Sequence, residues 1–344
     1  MSNESRSIEG ALQSIERSQQ VRRLLFLSGI AVVVGLTLVG LDVLEFSLAK
    51  IAGQWEQFTE AVVEFVPPNF VEFSLYSKNN DVGADAEGLG RLAGLWETFL
   101  HPGTFAETLT TEAGRGRTIV GLSLITIVIG FTGTVLGFPL ALLFGILGSE
   151  RVVPFPFNFV FRGTMSTIRA IPALVWILIY IPLAGITPLS AMLAVATDTI
   201  GNLGRLFTDE LEEIDEGPIE AIRSTGANRS QIISFGMLSQ VSTSFVAWTL
   251  YILEINTRIA ISLGVYGAGG IGSYIDTRIA LGAYSRAAAG IAMVIFIVLS
   301  VELVSSRIRA RLRPGEHEGK SVIDALRDLG TPGKWLGMGG GSKN

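Results

Sequence analysis

Five polar residues within or beside apolar stretches are the ones best placed to do chemistry in this sequence. They are Asp198, Asn202, Glu254, Asn256 and Arg258. An ionisable group inside a membrane costs about 2.5 kcal/mol or more unless it is paired or hydrated, so such groups indicate functional positions. Glu254 and Arg258 are four residues apart, which puts them on one face of a helix where they can neutralise each other. Two interpretations stay open for this pair: a structural ion pair, or part of a pathway for anions.

Two arginines carry the group that would recognise an anion along such a pathway. The guanidinium of Arg169 or Arg258 is a planar fork of N–H donors, which matches the oxygens of an oxyanion. Because strong binding would trap a passing anion, weak contacts are expected. The predicted pathway residues are Arg169, Asp198, Asn202, Glu254, Asn256 and Arg258.

Residue types typical of enzyme centres are scarce. The chain has no Cys, and its two His, His101 and His317, lie in a loop and in a charged tail without an imidazole partner nearby in sequence. No predicted span carries paired His, a His-Glu-x-x-His helix or clustered carboxylates. The sequence therefore predicts neither a catalytic site nor a metal site, and a membrane-embedded enzyme is the least favoured class.

Two glycine-rich patterns imitate nucleotide sites. Residues 267–272 fit the dinucleotide-binding spacing, but that pattern works only between a strand and a helix with an acidic residue about 20 positions later. In a membrane helix these glycines instead predict a tight turn or a close approach of backbones. Residues 315–321 imitate a phosphate loop, but Pro314 replaces its first glycine, and Glu316 and Glu318 would repel a phosphate. The chain therefore predicts no ATP site of its own, and ATP-driven work would require a partner.

Composition indicates a membrane protein. Hydrophobic residues make up 49% of the 344 residues and charged residues 17%, against about 25% charged in soluble domains, and mean hydropathy is +0.48. A net charge of −5 argues against nucleic acid as a partner. Because a helix needs about 20 apolar residues to cross a membrane, we predict about six transmembrane helices. They cover residues 24–41, 118–147, 159–183, 188–207, 241–263 and 287–304, with a kink at Pro172 in the third.

Arginine clusters at both ends predict cytoplasmic N- and C-termini. Arg17, Arg22 and Arg23 precede the first span, and alternate residues from Arg307 to Arg313 follow the last. Both ends inside requires an even number of spans, which agrees with six. The predicted segments are a cytoplasmic N-terminal segment at 1–23, an anchor helix at 24–41, an acidic extracytoplasmic loop at 42–116, a core of membrane spans at 117–307 and a cytoplasmic tail at 308–344 that is disordered beyond Pro314. Two interpretations stay open for an amphipathic helix in the acidic loop: it lies at the membrane interface, or it packs on the protein surface.

Residues 209–236, between the fourth and fifth spans, include a stretch that is too polar for lipid. Pro218 suits the first turn of a helix, Glu220 its positively polarised N-terminal end, and Gly226 its C-terminal turn. With a second short helix after the turn, this segment would form a helix-turn-helix elbow. Two interpretations stay open: a solvated connection, or a knob whose small Ala221 fits a groove on another protein.

The elbow carries a recognisable pattern. Glu220, Ala221, Thr225, Gly226 and Ala227 form Glu-Ala-x-x-x-Thr-Gly-Ala between two predicted spans. This pattern resembles the EAA coupling motif of ATP-binding-cassette (ABC) importer permeases. The similarity covers about residues 106–307 and is closest to the phosphonate-type permeases. Its further motifs are Arg169-Ala-Ile-Pro172, Gly201-x-Leu-Gly204, Gln240, Tyr251-x-x-Glu254-Ile-Asn256-x-Arg258 and the glycine pattern from Leu263 to Gly272. Ser239 departs from the proline that the family usually has there, which affects the expected geometry at the start of the fifth span.

The resemblance implies an all-α membrane protein with a type I ABC importer (MetI-like) permease core. It implies a homodimer of this chain in the lipid of the cell (inner) membrane, two cytoplasmic ATPase subunits that bind the elbow, and an extracytoplasmic substrate-binding protein. ATP and Mg would be bound by the ATPase and no cofactor by this chain. The expected function is import of phosphonate or a related small phosphorus oxyanion. The alternatives are import of another small solute, and an ion-coupled carrier or channel.

Overall fold

The structure, a computed structural model, describes the backbone of residues 2–312 and the side chains of residues 19–312. Helices make up most of this part of the chain, and it contains no strand. The α-helices are α1 (Ser2–Val43), α2 (Leu48–Gly53), α3 (Trp55–Phe65), α4 (Leu75–Asn79), α5 (Ala93–Leu100), α6 (Pro102–Thr110), α7 (Glu112–Arg117), α8 (Ile119–Gly148), α9 (Phe157–Ala170), α10 (Ala173–Ala184), α11 (Pro188–Glu212), α12 (Glu216–Ser224), α13 (Arg229–Gln231), α14 (Leu238–Leu263), α15 (Gly270–Ala280) and α16 (Tyr284–Leu312). A 3₁₀ turn covers Gly88–Leu92, and π-helical segments cover Ile232–Met237 and Gly264–Ala268.

Most of the predicted tail, together with the phosphate-loop imitation at 315–321, lies outside the described residues. Only its first residues, 308–312, are described, and they continue α16.

The chain divides into two compact units, one up to Val63 and one from Glu64 onward. In the first unit, α1 contains the predicted anchor, and the apolar side chains of its span from Gln19 to Val43 are exposed. An exposed apolar surface of this length suits lipid. The predicted amphipathic helix is present as α2 and α3, and Trp55 and Phe58 are exposed beside each other with ring centroids 5.5 Å apart.

Within residues 2–312, three helices are long and apolar enough to cross a membrane: the Gln19–Val43 part of α1, α8 and α16. A fourth candidate is the pair α9 and α10, which is bent by 91°. The predicted kink at Pro172 is therefore a full break, because proline lacks the N–H that would continue the helix and clashes with the preceding turn. The remaining predicted spans, α11 and α14, have 25 and 26 residues but are too polar to qualify on hydropathy. The chain is thus a multi-pass membrane protein, and the count of six stays a prediction.

Helices α8 and α11 pack closely because glycines line the face of α8. A Cβ atom on Gly133 would lie 2.6 Å from a methyl group of Val195, and one on Gly137 would lie 2.5 Å from the carbonyl oxygen of Ala196. These positions leave no room for a larger residue. Small residues that allow backbones to approach are the usual solution for helix packing in membranes.

The glycine pattern before α15 forms a sharp turn. Gly267 and Gly269 have φ values of +88° and +84°, a backbone region that other residues rarely adopt. A Cβ atom on Gly272 would lie 2.0 Å from the carbonyl oxygen of Ile261. The predicted tight turn and close backbone approach are both confirmed.

Residues 69–117, which the sequence predicts as part of an acidic loop, fold into α4 to α7. Phe70 and Phe73 share a buried core with Ile119, Ile271 and Tyr274 of the membrane-associated part. The sequence does not indicate this packing, because the residues that complete the core lie up to two hundred positions later.

Glu72, one of the acids of this segment, is 5% exposed and is fully paired. Its carboxylate lies 2.7 Å from the Arg278 guanidinium and 3.2 Å from the Lys78 ammonium, and it accepts a hydrogen bond from Tyr274 Oη at 3.0 Å. Burial and the Glu72 carboxylate raise the pKa of the Tyr274 phenol, so this hydroxyl stays protonated and donates. The four side chains join the 69–117 segment to α15.

Candidate functional site

The predicted elbow is a helix with one buried face and one free face. On the inner face of α12, Ile219 is buried in a core that includes Met237, and Ile222 faces Gly236 of the π-helical segment. On the outer face, Glu220 and Ala221 are exposed. Within residues 19–312, the Glu220 carboxylate has no hydrogen bond or ion pair. The elbow therefore exposes a small side chain and an unpaired carboxylate on the outer face of α12, while the inner face of this helix packs against the core.

The turn of the elbow has the predicted geometry. Gly226 has a φ of +83°, and its N–H donates to the carbonyl of Arg223 at 3.1 Å, which ends α12 in a left-handed C-terminal turn. Asn228 then caps α13, because its side chain accepts from the N–H of Gln231 and the Gln231 side chain accepts from the N–H of Asn228, both at 2.9 Å.

The second helix of the elbow is mostly π-helical, from Ile232 to Met237. Ser239, at the position of the expected proline, donates a hydrogen bond to the carbonyl of Phe235 just after this segment. Of the five predicted coupling residues, only Ala227 is partly buried.

A second candidate site is a cavity of about 470 Å³ between α9, α11 and α14. Arg169 Nε donates to Asn202 Oδ1 at 3.2 Å, and Asn202 Nδ2 donates to Asp198 Oδ2 at 2.9 Å. Three of the six predicted pathway residues therefore form one hydrogen-bonded chain in the wall of this cavity. Arg169 is exposed, and within residues 19–312 the other N–H groups of its guanidinium make no hydrogen bond or ion pair.

The sequence interpretation missed three polar residues of this cavity. They are Arg205, Asp209 and Tyr251. Arg205 and Asp209 form an ion pair at 3.0 Å, so the two arginines and two aspartates of the wall balance in formal charge. The spacing of 198, 202, 205 and 209 repeats every three or four residues, which is the signal that places all four on one helix face.

The structure places the other three predicted pathway residues outside this lining. Glu254 pairs with Arg258, as their spacing predicts, and lies 3.8 Å from Arg309 of α16. Asn256 is fully buried and donates to the hydroxyls of Thr134 and Thr199, both at 2.8 Å. Its contacts join α8, α11 and α14 and favour a structural role.

No group of three or more potential metal ligands occurs within the part of the chain that the structure describes. The polar chemistry of the two sites is therefore that of a helix surface and of a charge-balanced cavity. A helix surface of this kind can bind a groove on another protein, and a charge-balanced cavity can let a solute pass.

Comparison with known proteins gives a consistent set of similarities. The family model described as "Binding-protein-dependent transport system inner membrane component" matches residues 133–316, just over half of the chain and including both sites. The putative phosphite transport system permease protein HtxC of Stutzerimonas stutzeri is 29% identical over 213 residues, which are 62% of this chain and 73% of the relative. The putative cryptic phosphonate transport system permease protein PhnE2 of Escherichia coli is 36% identical over 118 residues, which are 34% of this chain and 97% of the relative.

One solved structure supports the fold. The inward-facing MetNI methionine ABC transporter has a chain that matches with a TM-score of 0.50 and 22% identity, over 60% of this chain and 98% of that chain. The similarity shows a shared permease fold.

Proposed function

This chain belongs to the family of binding-protein-dependent transport system inner membrane components, and from that premise we propose that it is the permease subunit of an ATP-driven importer for phosphonate or a related small phosphorus oxyanion. The observation that carries the proposal is the free outer face of α12, where Glu220 and Ala221 are exposed while Ile219 is buried. The family is one of transport components, so the chain is a transporter subunit, and ATP is hydrolysed by separate subunits.

The elbow is the part that engages the ATPase. A short helix with a buried inner face and an exposed outer face suits a groove on a partner. Glu220, Ala221, Thr225, Gly226 and Ala227 form the contact surface, and movement of the ATPase subunits displaces the elbow and reorients the helices attached to it. ATP and Mg are bound by the ATPase.

The cavity beside Arg169 is part of the translocation pathway. Its free guanidinium N–H groups attract an oxyanion, while the balanced charge of its wall keeps binding weak enough for release. Recognition of the substrate then rests with an extracytoplasmic binding protein.

The assembly contains two copies of this chain and two ATPase subunits, with both termini of the permease in the cytoplasm. The arginine clusters before the first span and after the last support this orientation, because loops rich in Lys and Arg stay on the cytoplasmic side.

The test is purification of the chain from its native membrane, followed by uptake measurements in proteoliposomes. We expect an ATPase subunit to copurify and uptake of radiolabelled phosphonate, phosphite or phosphate to require ATP and the binding protein. Purification of the chain alone, together with uptake driven by an ion gradient, would support the carrier alternative. ATP-dependent uptake of a different solute would support the assignment as an importer and contradict the proposed substrate.

Arg169→Ala is expected to lower anion uptake at least about tenfold while leaving the ATPase bound. The substitution removes a charge-assisted contact worth about 1.5–3 kcal/mol, and 1.4 kcal/mol corresponds to a factor of ten. The measurement is the initial rate of uptake at saturating ATP, with the copurified ATPase quantified in the same preparation.

The matched control removes the ion pair that lies outside the cavity. Glu254→Gln combined with Arg258→Gln deletes both charges of the pair together, so neither of the two is left charged without its partner, and Arg309 keeps a neutral amide oxygen nearby. Uptake close to that of the wild type in the double variant assigns the pair a structural role. A loss as large as that of Arg169→Ala would instead place the pair in the anion pathway.

A further inference from the structure

The loop between α8 and α9, residues 149–156, makes hydrogen bonds to the end of α11 and to the two elbow helices α12 and α13. Towards the end of α11, the N–H of Glu150 donates to Glu212 Oε1 at 3.2 Å, and Arg151 Nη2 donates to the carbonyl of Glu212 at 2.8 Å. Arg162 of α9 pairs with the same Glu212 carboxylate and donates from Nε to the carbonyl of Gly148 at 2.7 Å. The end of α11 is thus held by groups from α8, α9 and the loop between them.

Towards the elbow itself, the loop makes two polar contacts. Arg151 Nη1 donates to Glu216 Oε1 in the first turn of α12 at 2.8 Å. Arg229 Nη2 of α13 donates to the carbonyl of Val152 at 2.5 Å. Arg151 therefore spans two helices with one guanidinium, since one nitrogen binds the end of α11 and the other binds the start of α12.

Space is left beside these contacts. A cavity of about 550 Å³ opens at the elbow, with Arg151, Glu216, Ile219 and Arg229 in its wall. Apolar packing also joins the loop to the elbow, since Val152 of the loop and Ile219 of α12 lie in the same buried core. The polar bridges beside the cavity add a directional link between the loop and α12.

The loop leads directly to the candidate pathway. Helix α9 begins at Phe157, just after the loop, and carries Arg169 in its last turn. Arg169 is bonded to Asn202 in the wall of the cavity between α9, α11 and α14. A displacement of the loop can therefore reach Arg169 through one short, continuous helix.

We propose that Arg151 is a positioning residue that carries movement of the elbow to α8 and α9, and through α9 to the Arg169 cavity. This inference rests on the proposed function, because it assumes that an ATPase moves the elbow. The geometry favours transmission over simple stabilisation: the side chains of Arg151 and Glu216 are 27% and 61% exposed, and pairs this exposed contribute little to folding. A planar fork that holds two helices at once instead fixes their relative position.

The experiment uses the full complex of permease and ATPase in lipid nanodiscs and proteoliposomes. It measures the amount of bound ATPase, the rate of ATP hydrolysis and the amount of anion taken up per ATP. For Arg151→Ala we expect the same amount of bound ATPase and at least a fivefold lower uptake per ATP, the lower end of the usual range for coupling between sites. Lys50→Ala, which removes an exposed ion pair with Glu45 at 3.1 Å, is the control and should leave all three values unchanged.

Two further variants test whether the bridge itself carries the effect. Arg151→Lys keeps a charge but has a single ammonium in place of the fork, so intermediate uptake per ATP is expected. Arg151→Glu combined with Glu216→Arg restores one ion pair with reversed charges and should recover part of the loss.

The outcomes separate the inference from the proposed function. Uptake per ATP equal to that of the wild type in Arg151→Ala, or no recovery in the charge-swapped variant, overturns the role of Arg151. Loss of the bound ATPase or of the folded permease in Arg151→Ala also overturns it, because the residue would then act in assembly or stability. A wild-type chain that neither binds an ATPase nor uses ATP overturns the proposed function itself.

Discussion

Glu220→Arg is expected to abolish recovery of the ATPase subunit with this chain and to stop ATP-dependent uptake. The proposed contact buries the Glu220 carboxylate in a groove of the ATPase, and removing such a buried charge from an interface costs about 2–5 kcal/mol or more. Since 1.4 kcal/mol is a factor of ten, affinity should fall at least about thirtyfold. The measurement is copurification from the membrane at fixed detergent and salt, with uptake assayed in parallel.

The permease itself should stay folded in this variant. Glu220 is exposed and lies on the outer face of α12, and exposed substitutions of this kind usually change stability by about 0.5 kcal/mol or less. The matched control is Glu60→Arg, the same charge reversal at an exposed position of α3 in the predicted extracytoplasmic segment, and it should retain the ATPase. If Glu220→Arg binds the ATPase as well as the control does, the elbow is not the coupling surface.

Glu72→Ala is expected to destabilise the protein by about 3–5 kcal/mol, because it leaves the cations of Arg278 and Lys78 without their buried partner. The side chain of Arg278 is 19% exposed and that of Lys78 is 31% exposed, so water replaces the lost contact only partly. The Tyr274 hydroxyl loses its acceptor at the same time. The measurement is the midpoint of thermal unfolding in detergent, which should fall by about 10 °C.

An exposed acid of the same segment provides the control for this prediction. Glu97 lies 3.8 Å from His101, and both side chains are more than a third exposed, so Glu97→Ala should leave the midpoint almost unchanged. Proteolysis of residues 69–117 should become faster in Glu72→Ala and not in Glu97→Ala, because Glu72 bonds to Tyr274 and Arg278 of α15 whereas Glu97 lies beside His101 of its own segment. Equal midpoints for the two variants would show that the buried cluster contributes no stability.

The sequence predicts the elbow well because its signals are local. The left-handed turn at Gly226 and the pairing of Glu254 with Arg258 depend on residues within four positions of each other. The apolar runs of α1, α8 and α16 are equally local, since a membrane span is decided by the hydropathy of one segment. These features can be predicted from the sequence because they do not depend on residues that are distant in the chain.

The buried cluster of the 69–117 segment shows the limit of such reasoning. Glu72 appears in the sequence as one of many acids, and its partners Tyr274 and Arg278 are about two hundred residues away. Nothing in the local pattern separates it from the exposed acids around it. Long-range packing decides its environment, because α15 has to return beside this segment before the ion pairs can form.

The sequence by itself determined that the chain is an all-α membrane protein with an ABC permease-like core and a helical elbow, because hydropathy, turn chemistry and the motif at Glu220 are encoded in neighbouring residues. Only the tertiary structure decided which polar residues share a site. It separated Asn256, whose amide joins three helices, from Arg169, which faces a cavity, although both looked alike as polar residues in apolar stretches. The physical reason is that the role of a polar group depends on which groups the other helices bring to it.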